Sequence, residues 1–341
     1  MNTPTSILII YTGGTIGMIK DQESGALKPF NFENIYDQIP DLKLLQYELE
    51  FYCFDPLIDS SNMNPLVWQQ LASVIAHNYE NYDGFVILHG SDTMAYTASA
   101  LSFMLENLNK AVVLTGSQLP LGFLRSDGRD NLITSIEIAA AKEDDTPIVP
   151  EVCIYFENQL LRGNRSVKYS SENFNAFVSG NYQALAEVGI YIKYNRNKIR
   201  KPNFKKLKVQ TELETNVGIV KLFPGINEQI LKSVFENENM KAIVLETFGS
   251  GNASSDPWFL NMLEKAIKRG LIVMNVSQCI TGSVDQSTYE TGMGLEKVGV
   301  ISGRDISTEA AITKLMYVLG KESSREVIIN KLNTSLRGEI D

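Results

Sequence analysis

The sequence predicts an α/β protein with a larger N-terminal and a smaller C-terminal α/β domain, each built on a mainly parallel sheet. Three observations carry that expectation. Short apolar runs rich in β-branched residues recur along the chain, helix-like stretches separate several of them, and 341 residues exceed the length at which one hydrophobic core usually stops growing.

In order, the runs are "ILIIY" from Ile7, "FVILH" from Phe85, "AVVLTG" from Ala111, "EVCIYF" from Glu151, "IVKLF" from Ile219, "AIVLETFG" from Ala242 and "LIVMNV" from Leu271. Each is short and continuous, as a strand covered on both faces should be. The clearest helical stretches run from Asn64 to Asn81 and from Thr93 to Glu106; in the first, Asn64 can cap and Pro65 suits the first helical position. From Tyr191 to Lys208 the chain carries eight basic residues and no acidic one. That stretch is expected to be a solvated connection, which sets the domains at 1–190 and 214–341 with a basic linker at 191–213.

The loops after the strands are more informative: "TGGT" after Tyr11, "GSDT" after His89, "TGSQ" after Leu114, "GSGN" after Phe248 and "SQC" after Val276. Ligands of open parallel sheets bind outside the carboxyl ends of the strands, so a row of hydroxyl, amide and glycine residues there describes a pocket mouth. A dinucleotide fingerprint needs glycines at the first, third and sixth positions, whereas Gly13 and Gly14 are adjacent and Thr15 follows them. No stretch matches a P-loop either, so a phosphate cradle fails on spacing and no cofactor is expected.

A net charge of −9 opposes nucleic acid and anionic membranes as partners and favours a small molecule. Cys53, Cys153 and Cys279 are odd in number and widely separated, which argues for reduced thiols against a disulfide framework or a zinc site. The first residues lack a basic region and a signal-length apolar run, so a cytoplasmic location is expected.

A hydroxyl attacks an amide only if something accepts its proton and something stabilises the oxyanion. Thr15 follows two glycines whose backbone N–H groups suit the second need. Ser91 and Asp92 end another strand, and Lys168 is a candidate proton acceptor if desolvation lowers its pKa.

Here a resemblance becomes specific. "TGGTIG", "DSSNM", "HGSDTMAYTA", "TGSQLP", "GNRSVK", "SGN" and "SQCITG" occur in the order and approximate spacing of bacterial L-asparaginases, and the chain from Ile7 to "STEAAITKL" resembles the cytosolic type I members. The resemblance implies hydrolysis of L-asparagine to L-aspartate and ammonia without cofactor or metal. It also implies homodimers that usually pair into homotetramers, with the active site between neighbouring subunits. Thr15 matches the nucleophile that forms an acyl-enzyme; Ser91, Asp92 and Lys168 match the second hydroxyl, carboxylate and lysine that assist proton transfer. Asp59, Ser60 and Ser61 match the substrate-binding loop, and Asn252 matches an asparagine that reaches a neighbour's site in some members, although a turn role fits it as well.

The departures are informative. Ser91 stands where threonine is usual, Asn62 where aspartate is usual, and Ala26 where many members carry a lid tyrosine. Tyr289, in the loop after "SQC", matches the tyrosine of members lacking the lid one and is expected to assist Thr15. Val167 and Glu246 differ from members with a second, regulatory asparagine site, so that regulation is not carried over. His77 and His89 are the only histidines, and His89 is expected to be structural despite its neighbours. Arg162, Asn164 and Arg165 are expected to shape the lysine loop. The alternatives are a glutaminase-leaning amidohydrolase and a catalytically silent amino-acid sensor; a tRNA amidotransferase component is disfavoured because no extra N-terminal domain is apparent.

Overall fold

A computed structural model describes residues 4–20, 27–29, 35–287 and 290–341. The chain forms two compact units, Met1–Val209 and Gln210–Asp341.

In the first unit, a sheet of eight strands among the described residues is made of β1 (Ser6–Tyr11), β2 (Glu48–Cys53), β3 (Gly84–Leu88), β4 (Val112–Thr115), β5 (Val152–Phe156), β6 (Gln159–Arg162), β7 (Ala186–Val188) and β8 (Ile192–Tyr194). The spatial order is β8-β7-β6-β5-β4-β3-β1-β2. Strands β2, β1, β3, β4 and β5 run parallel, and β6 to β8 return antiparallel. Every residue of β3, β4 and β5 is buried, which is why these strands read as unbroken apolar runs. Strand β2 alternates Glu48 and Glu50 with apolar residues at the sheet edge, so it offers no such run. The turn from β5 to β6 is only Glu157 and Asn158, both at positive φ, as a tight hairpin with right-handed twist requires.

Helix α1 (Pro65–Asn78) begins as expected, with the Asn64 side chain accepting from the Leu66 and Val67 N–H groups. Helix α2 (Met94–Met104) is buried along most of its length, its Ala95, Ala98 and Ser99 letting the backbone come close to its neighbours. Helix α3 (Gly128–Ala140) packs on β3 and β4.

The expected linker is corrected in its first part. Ile192–Tyr194 forms the sheet-edge strand β8, Ile199 is buried in the core, and Lys208–Val209 pairs with Leu105–Glu106. Apolar residues spaced among the bases anchor this basic segment, so the division falls at Val209/Gln210, inside the stretch taken as linker.

The second unit has a parallel sheet in the order β9 (Val217–Lys221), β10 (Ala242–Thr247), β11 (Ile272–Ser277), β12 (Ile301–Ser302). Its helices include α4 (Glu228–Phe235), α5 (Pro257–Arg269), α6 (Glu290–Lys297), α7 (Thr308–Lys321) and α8 (Arg325–Asn333).

One buried ion pair fixes the run from β6 toward Lys168. Arg162 Nε donates to Glu151 Oε2 at 2.7 Å and Nη2 to Oε1 at 3.1 Å, with the guanidinium 4.3 Å from the centre of the Tyr182 ring. Glu151 also accepts from the Arg200 N–H at 2.6 Å, tying in the basic segment. Glu151→Ala strands a buried cation and is expected to cost about 3–5 kcal/mol in urea unfolding, whereas replacing both partners by apolar residues costs less.

Candidate active site

The strand order 2-1-3-4-5 of the parallel part reverses between β1 and β3, which places a crevice outside their carboxyl ends. Thr15 follows β1, Asp59 to Ser61 follow β2, and Ser91 and Asp92 follow β3. The topology therefore gathers at one end of the sheet three segments that are far apart in sequence.

Their backbones interlock. Thr12 N–H donates to Leu88 O at 3.0 Å and Ile58 N–H to Thr12 O at 2.7 Å. Gly13 and Gly14 take φ of 136° and 93°, and a β-carbon on Gly14 would stand 2.6 Å from the Gly90 Cα and N. Only glycine fits that conformation and that approach. Thr15 then opens a single 3-10 turn, Thr15–Gly17, and is half-buried.

Asp59 caps the turn Ser60–Asn62, accepting from the Ser61 hydroxyl at 2.6 Å and the Ser61 N–H at 2.8 Å. Those bonds hold its carboxyl below the ordinary carboxylate range, the hydroxyl contributing most. Ser60 is buried, and its carbonyl accepts from Thr93 Oγ1 at 2.7 Å, which joins the loop after β2 to that after β3.

Lys168 lies in a two-residue strand, Val167–Lys168, paired with Phe177–Val178. Its Nζ donates to Ser91 Oγ at 3.0 Å and to Asp92 Oδ1 at 2.5 Å. The structure thus brings Ser91, Asp92 and Lys168 into direct contact, with Thr15 on the loop stacked against Gly90. Such a constellation supplies hydroxyls, a carboxylate and an ammonium within one crevice mouth. Among the described residues no group of His, Cys, Asp and Glu is arranged to hold a metal ion.

Asn252 belongs to the second unit, where its main chain bridges to Phe248 and its amide donates to Ser250 Oγ at 3.3 Å. Tyr289 and Ala26 lie outside the described residues. Arg165 stacks toward Tyr182 beside Arg162, and Asn164 is buried in the turn leading to Lys168.

His89 is buried, and its ring is fully committed. The Gly90 carbonyl can only accept, so Nδ1 carries the proton and donates to it at 2.6 Å. Nε2 then accepts from Thr97 Oγ1 at 2.9 Å, and that oxygen accepts in turn from Trp68 Nε1 at 3.0 Å. The Trp68–Thr97–His89 chain bridges α1, α2 and the strand-end loop; nothing in the spacing of these residues announced it.

Two α/β units, the first an open, mainly parallel sheet whose switch point carries hydroxyls, a carboxylate and an ammonium, define a two-domain α/β protein with a candidate site for acid–base and nucleophilic chemistry. The chain belongs to the asparaginase/glutaminase family: the "Asparaginase, N-terminal" model matches residues 6–200 and the "Glutaminase/Asparaginase C-terminal domain" model residues 216–330. It is 42% identical to L-asparaginase 1 of Escherichia coli strain K12 over 98% of each chain. The crystal structure of L-asparaginase I from Vibrio cholerae matches with a TM-score of 0.90 and 42% identity, covering 99% of this chain and 100% of that one. The thermostable L-asparaginase from Thermococcus kodakarensis matches with a TM-score of 0.90 and 31% identity over 99% of each.

Burial lowers the His89 pKa from 6.5 to about 4, against an opposing hydrogen bond to the Gly90 carbonyl. The unfolded chain therefore takes up a proton near pH 6.5 and the folded chain only near 4, so this contribution to stability is whole above 6.5 and is lost as pH falls toward 4. Between pH 7 and 5, urea unfolding of the wild type is expected to lose about 2 kcal/mol more than that of His89→Gln.

Proposed function

We propose that the chain is an L-asparaginase that hydrolyses the side-chain amide of L-asparagine to L-aspartate and ammonia, with Thr15 as nucleophile. The observation that carries the reading is Lys168 Nζ, within 3.0 Å of Ser91 Oγ and 2.5 Å of Asp92 Oδ1, whose loop packs through Gly90 against Gly14 at the start of the Thr15 turn. Family membership over nearly the whole chain supports the substrate class.

The chemistry follows from the residue types. Thr15 Oγ1 gives up its proton and bonds to the amide carbon, and backbone N–H groups of the glycine turn stabilise the oxyanion. The C–N bond breaks as the nitrogen takes a proton and leaves as ammonia, and water then cleaves the ester to free aspartate and Thr15. Ser91 and Lys168 relay protons, and Lys168 keeps the site electropositive where negative charge develops. Asp59, Ser60 and Ser61, with Asp92, grip the substrate's α-ammonium and α-carboxylate by charge-assisted hydrogen bonds. Tyr289 assists deprotonation of Thr15, and Asn252 completes a neighbour's site in a cytoplasmic homodimer or homotetramer. No nucleic acid, membrane or cofactor takes part.

Ammonia release from L-asparagine and L-glutamine, followed over a concentration series, tests the reading. Wild type is expected to favour asparagine, the two amides differing by one methylene worth about 1–3 kcal/mol in a fitted pocket. Thr15→Ala is expected to lose at least about 10³-fold in kcat and Lys168→Met at least about 10²-fold. A wild type that asparagine stabilises thermally without any turnover would instead be a sensor. Tyr289→Phe is expected to lower kcat with little change in KM; unchanged turnover removes Tyr289 from the mechanism.

A further inference from the structure

We propose that Tyr11 is a positioning residue for Thr15 and acts through Gly17, an inference that rests on the reading of Thr15 as nucleophile. Tyr11 is the last residue of β1 and is 1% exposed. Its ring runs against the Thr15–Gly17 turn: a β-carbon on Gly17 would stand 2.2 Å from both Cζ and Oη and 2.5 Å from Cε2. No positive φ is involved at Gly17, so the glycine is there for space. The ring and the turn occupy adjoining volume with no room for one methyl group.

The turn is held on its other sides as well. Ile16 is fully buried in the same core cluster as Tyr11, Ile9, Val86 and Leu88, and Gly17 N–H donates to Gly14 O at 3.3 Å. Tyr11 Oη lies 3.5 Å from that same Gly14 carbonyl, too far for a strong bond, so what the side chain gives the turn here is chiefly packing along Gly17. Burial raises the phenol's pKa, so the side chain stays neutral at any ordinary pH. Close-packed neighbours bury the ring, which resists swinging aside, and Thr15 opens a turn whose next two residues are a buried isoleucine and a glycine seated on that aromatic wall. A nucleophile displaced by a fraction of an ångström loses its line of attack while the binding loop after β2 stays in place.

Steady-state kinetics with L-asparagine, alongside thermal unfolding, test this. Gly17→Ala is expected to lower kcat about 10²-fold with KM within about threefold of wild type. Tyr11→Phe keeps the ring and stays within about threefold of wild-type kcat, whereas Tyr11→Leu falls at least about tenfold. The double variant Gly17→Ala/Tyr11→Leu, in which the added methyl has room, is expected to recover at least about tenfold over Gly17→Ala alone, the non-additivity of two groups in contact. Unchanged kcat in Gly17→Ala, or a double variant no better than it, overturns the proposal. Should Gly17→Ala not fold, equal kcat in Tyr11→Phe and Tyr11→Leu overturns it instead. Thr15→Ala measured beside them separates the two readings: if it stays active, the nucleophile assignment falls, and if it is inactive while Gly17→Ala keeps the wild-type kcat, only the positioning role does.

Discussion

A side chain at residue 14 would push the loop after β1 off the loop after β3, because its first carbon falls 2.6 Å from the Gly90 backbone. The candidate site exists only while those two loops touch. Thr15 hangs from one and Ser91 with Asp92 from the other, and Lys168 reaches the second through its own contacts. The parallel sheet brings the strand ends within range, but it is the missing side chains that let the loops close the remaining distance.

Glycine in two consecutive positive-φ positions loses more conformational freedom on folding than other residues would, so the turn is a local cost. What offsets it lies directly beneath. Strands β1 and β3 are buried almost throughout, and Ile16 carries the same core up into the turn itself. A loop that carries such a cost can persist where the scaffold around it over-determines its path.

The fold class was legible because parallel strands covered on both faces need continuous apolar runs, and each run named in the sequence is a strand, although β9 lies at its sheet's edge with Ile219 exposed and so is not covered as its run suggested. What escaped was β2, half-exposed at the sheet edge, and the antiparallel β6 to β8, whose short and partly polar strands carry no such signal. The basic segment misled for a similar reason. Its charges dominate the composition, yet Ile192, Tyr194 and Ile199 decide where it lies, and apolar anchors outweigh solvated lysines in fixing a chain's path. At the site, residue types and motif order pointed to Ser91, Asp92 and Lys168, which meet. The hydrogen-bond chain through His89 was invisible, because tautomer and partners depend on residues brought in by α1 and α2.

The Lys168–Asp92 pair shows why contact and stabilisation are different questions. The Asp92 side chain is 67% exposed while that of Lys168 is 17% exposed, so water screens the carboxylate and the pair adds little to folding. Its consequence is geometric. An ammonium drawn toward an open carboxylate is held at the Ser91 hydroxyl as well, by two acceptors contributed from the same short turn. The buried pair of Arg162 and Glu151 is the complement, enclosed from water and bonded at several points, and it anchors the strand from which the chain proceeds to Lys168. Rigidity is thus invested one layer behind the site, and the charges at its mouth stay accessible to a small charged ligand.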